Sequence, residues 1–410
     1  MFAASLLRKT VHTFSSDAVM LAKIHSFAPS TQLAILLGSI YFYIGIFAPF
    51  FPLWLTARGL SPGEVGLVLA APIVVRVAAN PLILSFASQR QAVDEAMLWC
   101  AIASLAGFVG LVFCHSFLPL LIVTGLTFVF QGSMMPLSDV MILNQVAKNA
   151  SLHYGSIRSW GSVAVLAGML IAGALAGILP SEAIIWMLVL SAISQALICT
   201  ALLSKASGHT KHLASKAPPR DMKRLDLVLV VIVAASLVQS SHAMISGFSS
   251  ILYHSRGYSD FFIGWAWAGG VFTEILMFMV AGRYLGGANN AFRFFVVGCI
   301  SCVVRWVVSS MDFGAAGIIA TQASHGLTFC ATHLGTMYLL ARMVPAGRLA
   351  QMQGIYAGTN SLFMAAMTAL SGPIFQHLGA QGLLVMVIPA VMGLVMITYV
   401  YVHWRRGLSP

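Results

Sequence analysis

Residues 31–56 read TQLAILLGSIYFYIGIFAPFFPLWLT, an unbroken run without an Asp, Glu, Lys or Arg. At about 1.5 Å of rise per residue, such a run crosses the roughly 30 Å hydrocarbon core of a bilayer. No water is available there to satisfy backbone N–H and C=O groups, so the segment has to be a helix. Working outward, comparable runs recur at about 62–87, 94–114, 117–146, 154–178 and 182–203, then at about 225–253, 260–283, 291–310, 313–341, 349–377 and 381–404. Composition agrees: 59% of the 410 residues are hydrophobic and 8% are charged, with a mean hydropathy of +0.90. Soluble chains carry about 25% charged residues. The expectation is an all-α integral membrane protein of twelve transmembrane helices.

The segment 204–224, SKASGHTKHLASKAPPRDMKR, is polar and basic and reads as a linker between two halves. The expected division is therefore a tail at 1–30, a six-helix bundle at 31–203, the linker at 204–224, a second bundle at 225–404 and a tail at 405–410. The halves resemble each other at an offset of about 198. Arg58-Gly59-Leu60-Ser61 matches Arg256-Gly257-Tyr258-Ser259, Gly66 matches Gly264, and Arg76 falls opposite Glu274. Gly125-Leu126-Thr127-Phe128 recurs as Gly326-Leu327-Thr328-Phe329. Parallel repeats of this kind surround an axis normal to the membrane, with a cavity at mid-depth between them.

The net charge of +11 does not mark a nucleic-acid partner. With the N-terminus placed in the cytoplasm, Arg58 and Arg256 are the Lys or Arg residues on the far side, Arg76, Arg158 and Arg305 lie within spans, and the others fall on the cytoplasmic side. That asymmetry is the positive-inside pattern and puts both termini in the cytoplasm. Residues 1–30 lack the apolar core and cleavage site of a secretory signal, and Met20 offers an alternative start. All six cysteines fall in expected spans and read as packing residues, including the pair Cys299-x-x-Cys302. The sequence carries no HExxH motif, no GxSxG with partners and no nucleotide-binding loop, which argues against an enzyme.

A charge at the centre of a span costs about 2.5–3.5 kcal/mol on insertion scales, so ionisable residues there face protein or water. Arg76 lies mid-span with Glu274 opposite it in the repeat. Asp139 follows Pro136 in the fourth span, and Arg158 opens the fifth. Arg305 is in the ninth span. His325 and His333 are in the tenth, eight residues apart and roughly on one face. Asp139–Arg158 and Glu274–Arg305 are either ion pairs that lock helices together or the lining of a solute pathway. For His242 in the seventh span, a hydrogen bond within the bundle serves as well as a ligand role. Gly161, Gly168, Gly173 and Gly177 allow close helix packing.

Several of these residues carry a resemblance. Pro49-Phe50-Phe51-Pro52-Leu53-Trp54-Leu55 resembles the PFFPxWL run of the lactose permease family and its oligosaccharide:proton symporter relatives, within the major facilitator superfamily. Pro136-x-x-Asp139 followed by Gly155-x-x-Arg158-x-Trp160-Gly161-Ser162-Val163 resembles that family's substrate-binding acid and arginine. Arg305 with Ser309-Ser310 is similar to its ninth-helix arginine, His325 to its tenth-helix histidine, and 371–382 to its last interhelical turn. There are departures. Val165 stands where the family stacks a tryptophan on sugar, Thr328 replaces a glutamate, Glu274 is displaced by about one turn, and the loop motif around 85–90 is degraded. The runs 154–163, 304–306 and 322–333 look closer to the 3-phenylpropionate permease branch.

The resemblance implies a twelve-helix major facilitator fold in a bacterial inner membrane, with a small-molecule substrate, a proton as its partner and a monomeric working unit. It implies no cofactor beyond the proton gradient. The branch implies an aromatic or other small monocarboxylate. Arg158, held by Asp139, is the expected carboxylate binder, with Arg76 as the competing candidate and Trp160 in the same substrate set. Glu274 is the expected proton carrier, with Arg305, His325 and His333 in its coupling group: apolar surroundings favour the neutral acid and a nearby guanidinium the ionised one. A nucleoside or sugar symporter, a drug exporter and a non-transporting sensor stay open as alternatives.

Overall fold

A computed structural model describes residues 27–90, 92–149, 151–203, 224–281 and 288–406. The described chain is helical, with no strand among the described residues. The first half holds α1 (Pro29–Ala57), α2 (Pro62–Gln89), α3 (Val93–Val112), α4 (Phe117–Lys148), α5 (Tyr154–Ala176) and α6 (Ala183–Leu203). The second holds α7 (Leu225–Ser240, continued as Ala243–Ser255), α8 (Asp260–Ala281), α9 (Ala288–Ser310), α10 (314–343), α11 (Ala346–Leu378) and α12 (Val387–Arg406). Most of the expected N-terminal tail, nearly all of the linker, the glycine-rich 282–287 and the end of the C-terminal tail lie outside the described residues.

Two spans differ from continuous helices. The seventh breaks at Ser241–His242, where the Ser240 and Ser241 hydroxyls donate to the carbonyls of Leu237 (2.9 Å) and Val238 (2.6 Å). Serine back-bonding of this kind bends a helix. The tenth is built of Gly314–Ala323, a π-helical turn at Gly326–Cys330 and Ala331–Met343. Among the described residues ten helices are long and apolar enough to cross a membrane. The interrupted α10 and the α11 that carries Thr359, Asn360 and Ser361 fall at the two other expected spans, consistent with a total of twelve. One cysteine departs from expectation: Cys114 lies just beyond the end of α3, although it is buried like the other five.

The duplication survives as a repeated structural device. Gly59 and Gly257 follow the ends of α1 and α7 with φ of +84° and +83°, a conformation that glycine alone adopts without strain. The arginine before each glycine reaches to the next loop of its own half. Arg58 donates to Cys114 O (3.2 Å) and pairs with Glu182 (2.7 Å), and Arg256 pairs with Asp312 (3.7 Å). α2 then starts on a capping box, with Ser61 N–H donating to the Glu64 carboxylate at 2.8 Å.

The halves are joined at this end of the molecule. A Cβ on Gly66 of α2 would lie 3.0 Å from Gly372 N of α11, and one on Gly173 of α5 would lie 2.9 Å from Asp260 O of α8. Backbone thus packs on backbone at two crossings between the bundles. An apolar core containing Phe51, Trp54 and Leu55 continues across the joint into Phe248, Leu252 and Ile263. Toward the other end the same helices part. Cβ atoms on Gly155, Gly269, Gly354 and Gly358 would meet nothing within 4 Å, and Leu82, Phe86, Ile355 and Met279 are exposed.

Candidate functional site

Two polar clusters occupy the interior, one in each half: the first lies toward the parted end, and the second reaches from mid-span back to Tyr253 near the joined end. In the first half, Pro136 in α4 precedes Asp139, and the first turn of α5 supplies Tyr154 and Arg158. Arg158 Nε lies 4.0 Å from Asp139 Oδ1, and the Tyr154 hydroxyl donates to the same oxygen at 3.0 Å. The guanidinium carbon is 4.3 Å from the centre of the Tyr41 ring of α1, a cation–π distance. Arg158 and Asp139 are each about one-third exposed, and the ion pair engages Nε, so the two Nη atoms lie outside it.

Arg76 does not join this group. Its Nε donates to Pro72 O one turn back at 3.0 Å, and its side chain lies across Gly132 of α4, where a Cβ would strike it. Trp160 is 54% exposed and has no hydrogen-bond or ring partner among the described residues. The structure therefore brings Arg158 and Asp139 together, adds Tyr154 and Tyr41, and leaves Arg76 and Trp160 apart from them.

In the second half Arg305 of α9 is 3% exposed. Its Nη1 donates to Thr328 Oγ1 (2.9 Å) and to His325 Nδ1 (3.1 Å), and its Nη2 donates to Gln322 Oε1 (3.1 Å). On the other edge of the imidazole, His325 Nε2 lies 3.4 Å from Glu274 Oε2. Of the two readings of Glu274 and Arg305, the direct ion pair is corrected: the ring of His325 stands between them, and α9 directs Arg305 to the back of α10 while Glu274 approaches from α8. Thr328, at the position where the resembling family has a glutamate, serves as the acceptor for Arg305 and also meets His242 Nε2 at 3.1 Å. His242 is buried in the break of α7, which supports the bundle hydrogen bond among its two readings.

This geometry fixes a tautomer. A guanidinium can only donate, so Nδ1 of His325 has to present its lone pair to Arg305 and the ring carries its proton on Nε2, facing the Glu274 carboxylate. A proton added at Nδ1 would break the bond to Arg305. His333 lies farther along α10, separated from His325 by Phe329: the three rings stack at centroid distances of 5.2 and 6.2 Å, with interplanar angles of 19° and 8°. The two histidines thus share a face but do not touch. Gln322 and Tyr253, whose hydroxyl accepts from Gln322 Nε2 at 3.4 Å, join this cluster without having been singled out by the sequence. The polar run Gln239-Ser240-Ser241-His242 was the available sign that α7 takes part.

Trp267 and Val271 of α8 pack on the core that holds Tyr41 and Val165 of the first half. Glu274 comes three residues later in the chain. Duplicated halves joined at one end and parted at the other, with ionisable groups half-exposed near the parting, define a membrane transporter of the major facilitator fold rather than an enzyme. The chain belongs to the MFS_1 like family, whose model matches residues 31–401.

A probable 3-phenylpropionic acid transporter of Escherichia coli (strain K12) is 28% identical over 345 residues, which span 83% of this chain and 89% of that protein. The maltose permease of Geobacillus stearothermophilus is 25% identical over 275 residues, 67% of this chain and 69% of that protein. Among solved structures, the nucleoside transporter NupG superimposes with a TM-score of 0.74 at 13% identity, covering 92% of this chain and 99% of that one. A bacterial homologue of the human lysosomal transporter Spinster, in an inward-facing and unoccupied conformation, gives 0.69 at 13% identity, covering 93% and 98%. At that identity these structures speak for the fold alone.

Proposed function

We propose that this protein takes up a small aromatic monocarboxylate together with protons, in a bacterial inner membrane, by rocking its two halves about the joint. The observation that carries the reading is the guanidinium of Arg158, one-third exposed, with both Nη atoms outside its long contact to Asp139. A planar fork of this kind accepts a carboxylate through two parallel hydrogen bonds. The ring of such a substrate suits the apolar helix faces around it, and the E. coli relative, a probable 3-phenylpropionic acid transporter, is in keeping with it. Val165, in place of a stacking tryptophan, weighs against a sugar.

Glu274 is the proton carrier in this reading. Arg305 occupies Nδ1 of His325, so the imidazole holds the carboxylate rather than loading the proton itself. With the termini in the cytoplasm, as the distribution of Lys and Arg favours, the parted end faces the cytoplasm. The test is uptake of labelled 3-phenylpropionate into vesicles with and without a protonophore, with nucleosides and disaccharides as competitors. Accumulation that the protonophore abolishes and the competitors leave alone is the expected result. Competition by a nucleoside or a disaccharide would reassign the substrate.

A further inference from the structure

We infer that His333 is the acceptor through which the proton of Glu274 leaves toward the parted end, with Phe329 as the ring that keeps His333 and His325 from exchanging protons directly. The inference rests on the reading of Glu274 as carrier. It starts from a count of the groups that could take a proton from that carboxyl. His325 is closed on its far side by Arg305. His242 is buried, with Nδ1 against Gln239 O (3.2 Å) and Nε2 against Thr328 Oγ1 (3.1 Å). Cys330 is buried with its Sγ directed at the backbone carbonyl of Glu274 (3.7 Å). The remaining base is His333, half-buried, whose ring nitrogens make no hydrogen bond among the described residues.

The helix geometry places it for the task. Eight residues along an α-helix drift about 80° around the axis, which leaves His333 only roughly on the face that His325 shows to Glu274. The π turn at Gly326–Cys330 absorbs about one residue and returns the two rings to a single column through Phe329. On α8, Phe278 follows Glu274 by one turn and meets His333 edge-on at 6.4 Å. Glu274 is the charged group that α8 presents to the column, Tyr356 of α11 faces His333 at 6.4 Å, and Arg305 of α9 stays behind His325. The Glu274 backbone lies beside Gly326 and Cys330, between the two histidines, which stand about two helical turns apart on α10, so a swing of the flexible side chain about its own backbone leads from the level of His325 to that of His333. The carboxyl O–H breaks, a ring nitrogen of His333 gains the proton, and water at the parted end removes it.

The test uses the full-length protein in proteoliposomes with labelled 3-phenylpropionate as the probe. His333→Gln should lower net proton-driven uptake by about a hundredfold or more, the size of a lost positioned base, while counterflow, which needs no proton release, stays unchanged. Phe329→Ala should make an imposed pH gradient decay faster without substrate, because water can then fill the gap between the two rings and carry protons across it. A readout free of substrate follows the infrared carboxyl band that Glu274→Gln removes. After an alkaline pH jump its loss should slow in His333→Gln. Wild-type net uptake and band kinetics in His333→Gln would overturn the inference, and would do so alone if Glu274→Gln still abolished accumulation. Accumulation persisting in Glu274→Gln would instead overturn the carrier reading beneath it.

Discussion

Glu274 reaches His325 and not Arg305: its Oε2 is 3.4 Å from Nε2 of the imidazole, whose Nδ1 takes a hydrogen bond from the guanidinium at 3.1 Å. A buried cation held by neutral acceptors, with its carboxylate one ring away, is a costly arrangement in a membrane. Every partner of Arg305 therefore matters to stability. Removing the donor leaves Thr328, Gln322 and His325 short of a partner, at about 1–3 kcal/mol for each buried group left unsatisfied. Arg305→Ala should lower the melting temperature in detergent by several degrees. Arg305→Lys, unable to span three acceptors with the same fork, should recover only part of it.

Carboxylate binding by Arg158 separates charge from shape. Loss of a charge-assisted pair of hydrogen bonds costs about 1.5–3 kcal/mol, so Arg158→Ala should raise the apparent KM for 3-phenylpropionate by about ten- to a hundredfold. Arg158→Lys keeps the charge without the fork and should fall between. Asp139→Asn should have a smaller effect, because its contact with Arg158 is long and Tyr154 still holds the side chain in place. An unchanged KM in both arginine variants removes Arg158 from the substrate site.

Closure of the joined end depends on bare backbone. A side chain at Gly173 would run into Asp260 O and Gly264, and one at Gly372 would run into Pro62 O and Gly63. Gly173→Leu and Gly372→Val should keep the halves from closing there, abolish transport and leave each bundle folded. The natural cysteines are all buried, so an engineered Ser61→Cys can report the opening. Its labelling by an impermeant maleimide should rise in both variants. Labelling at the wild-type rate argues that the crossings are packing alone.

The repeated turns after α1 and α7 predict matching penalties. With φ near +84° at both positions, Gly59→Ala and Gly257→Ala should each cost about 1–2 kcal/mol, read as a lower melting temperature with transport retained. Arg58→Ala should cost more than Arg256→Ala. Both acids are exposed, but Arg58 is the more covered of the two arginines, meets Glu182 at 2.7 Å and also holds Cys114 O, whereas Arg256 meets Asp312 at 3.7 Å.

How far the sequence could be read follows from what each pattern measures. Hydrophobic runs report the environment of a whole helix, so the spans, the duplication and the presence of Asp139, Arg158, Glu274, Arg305 and His325 inside them were legible. Runs do not report a change of helical pitch. The π turn under Phe329 leaves composition untouched, and the break at Ser241–His242 left only a short polar run.

By itself, the amino-acid sequence determined that this chain lives in a bilayer as two copies of one bundle, because a hydrocarbon solvent admits few backbone solutions and tolerates few charges. Only the tertiary structure decided who partners whom. Which oxygen a guanidinium meets depends on helix rotation and the reach of side chains across three or four packed helices, to within an ångström. Linear spacing does not encode that, and so Arg305 was found on Thr328, Gln322 and His325, with Glu274 beyond the ring.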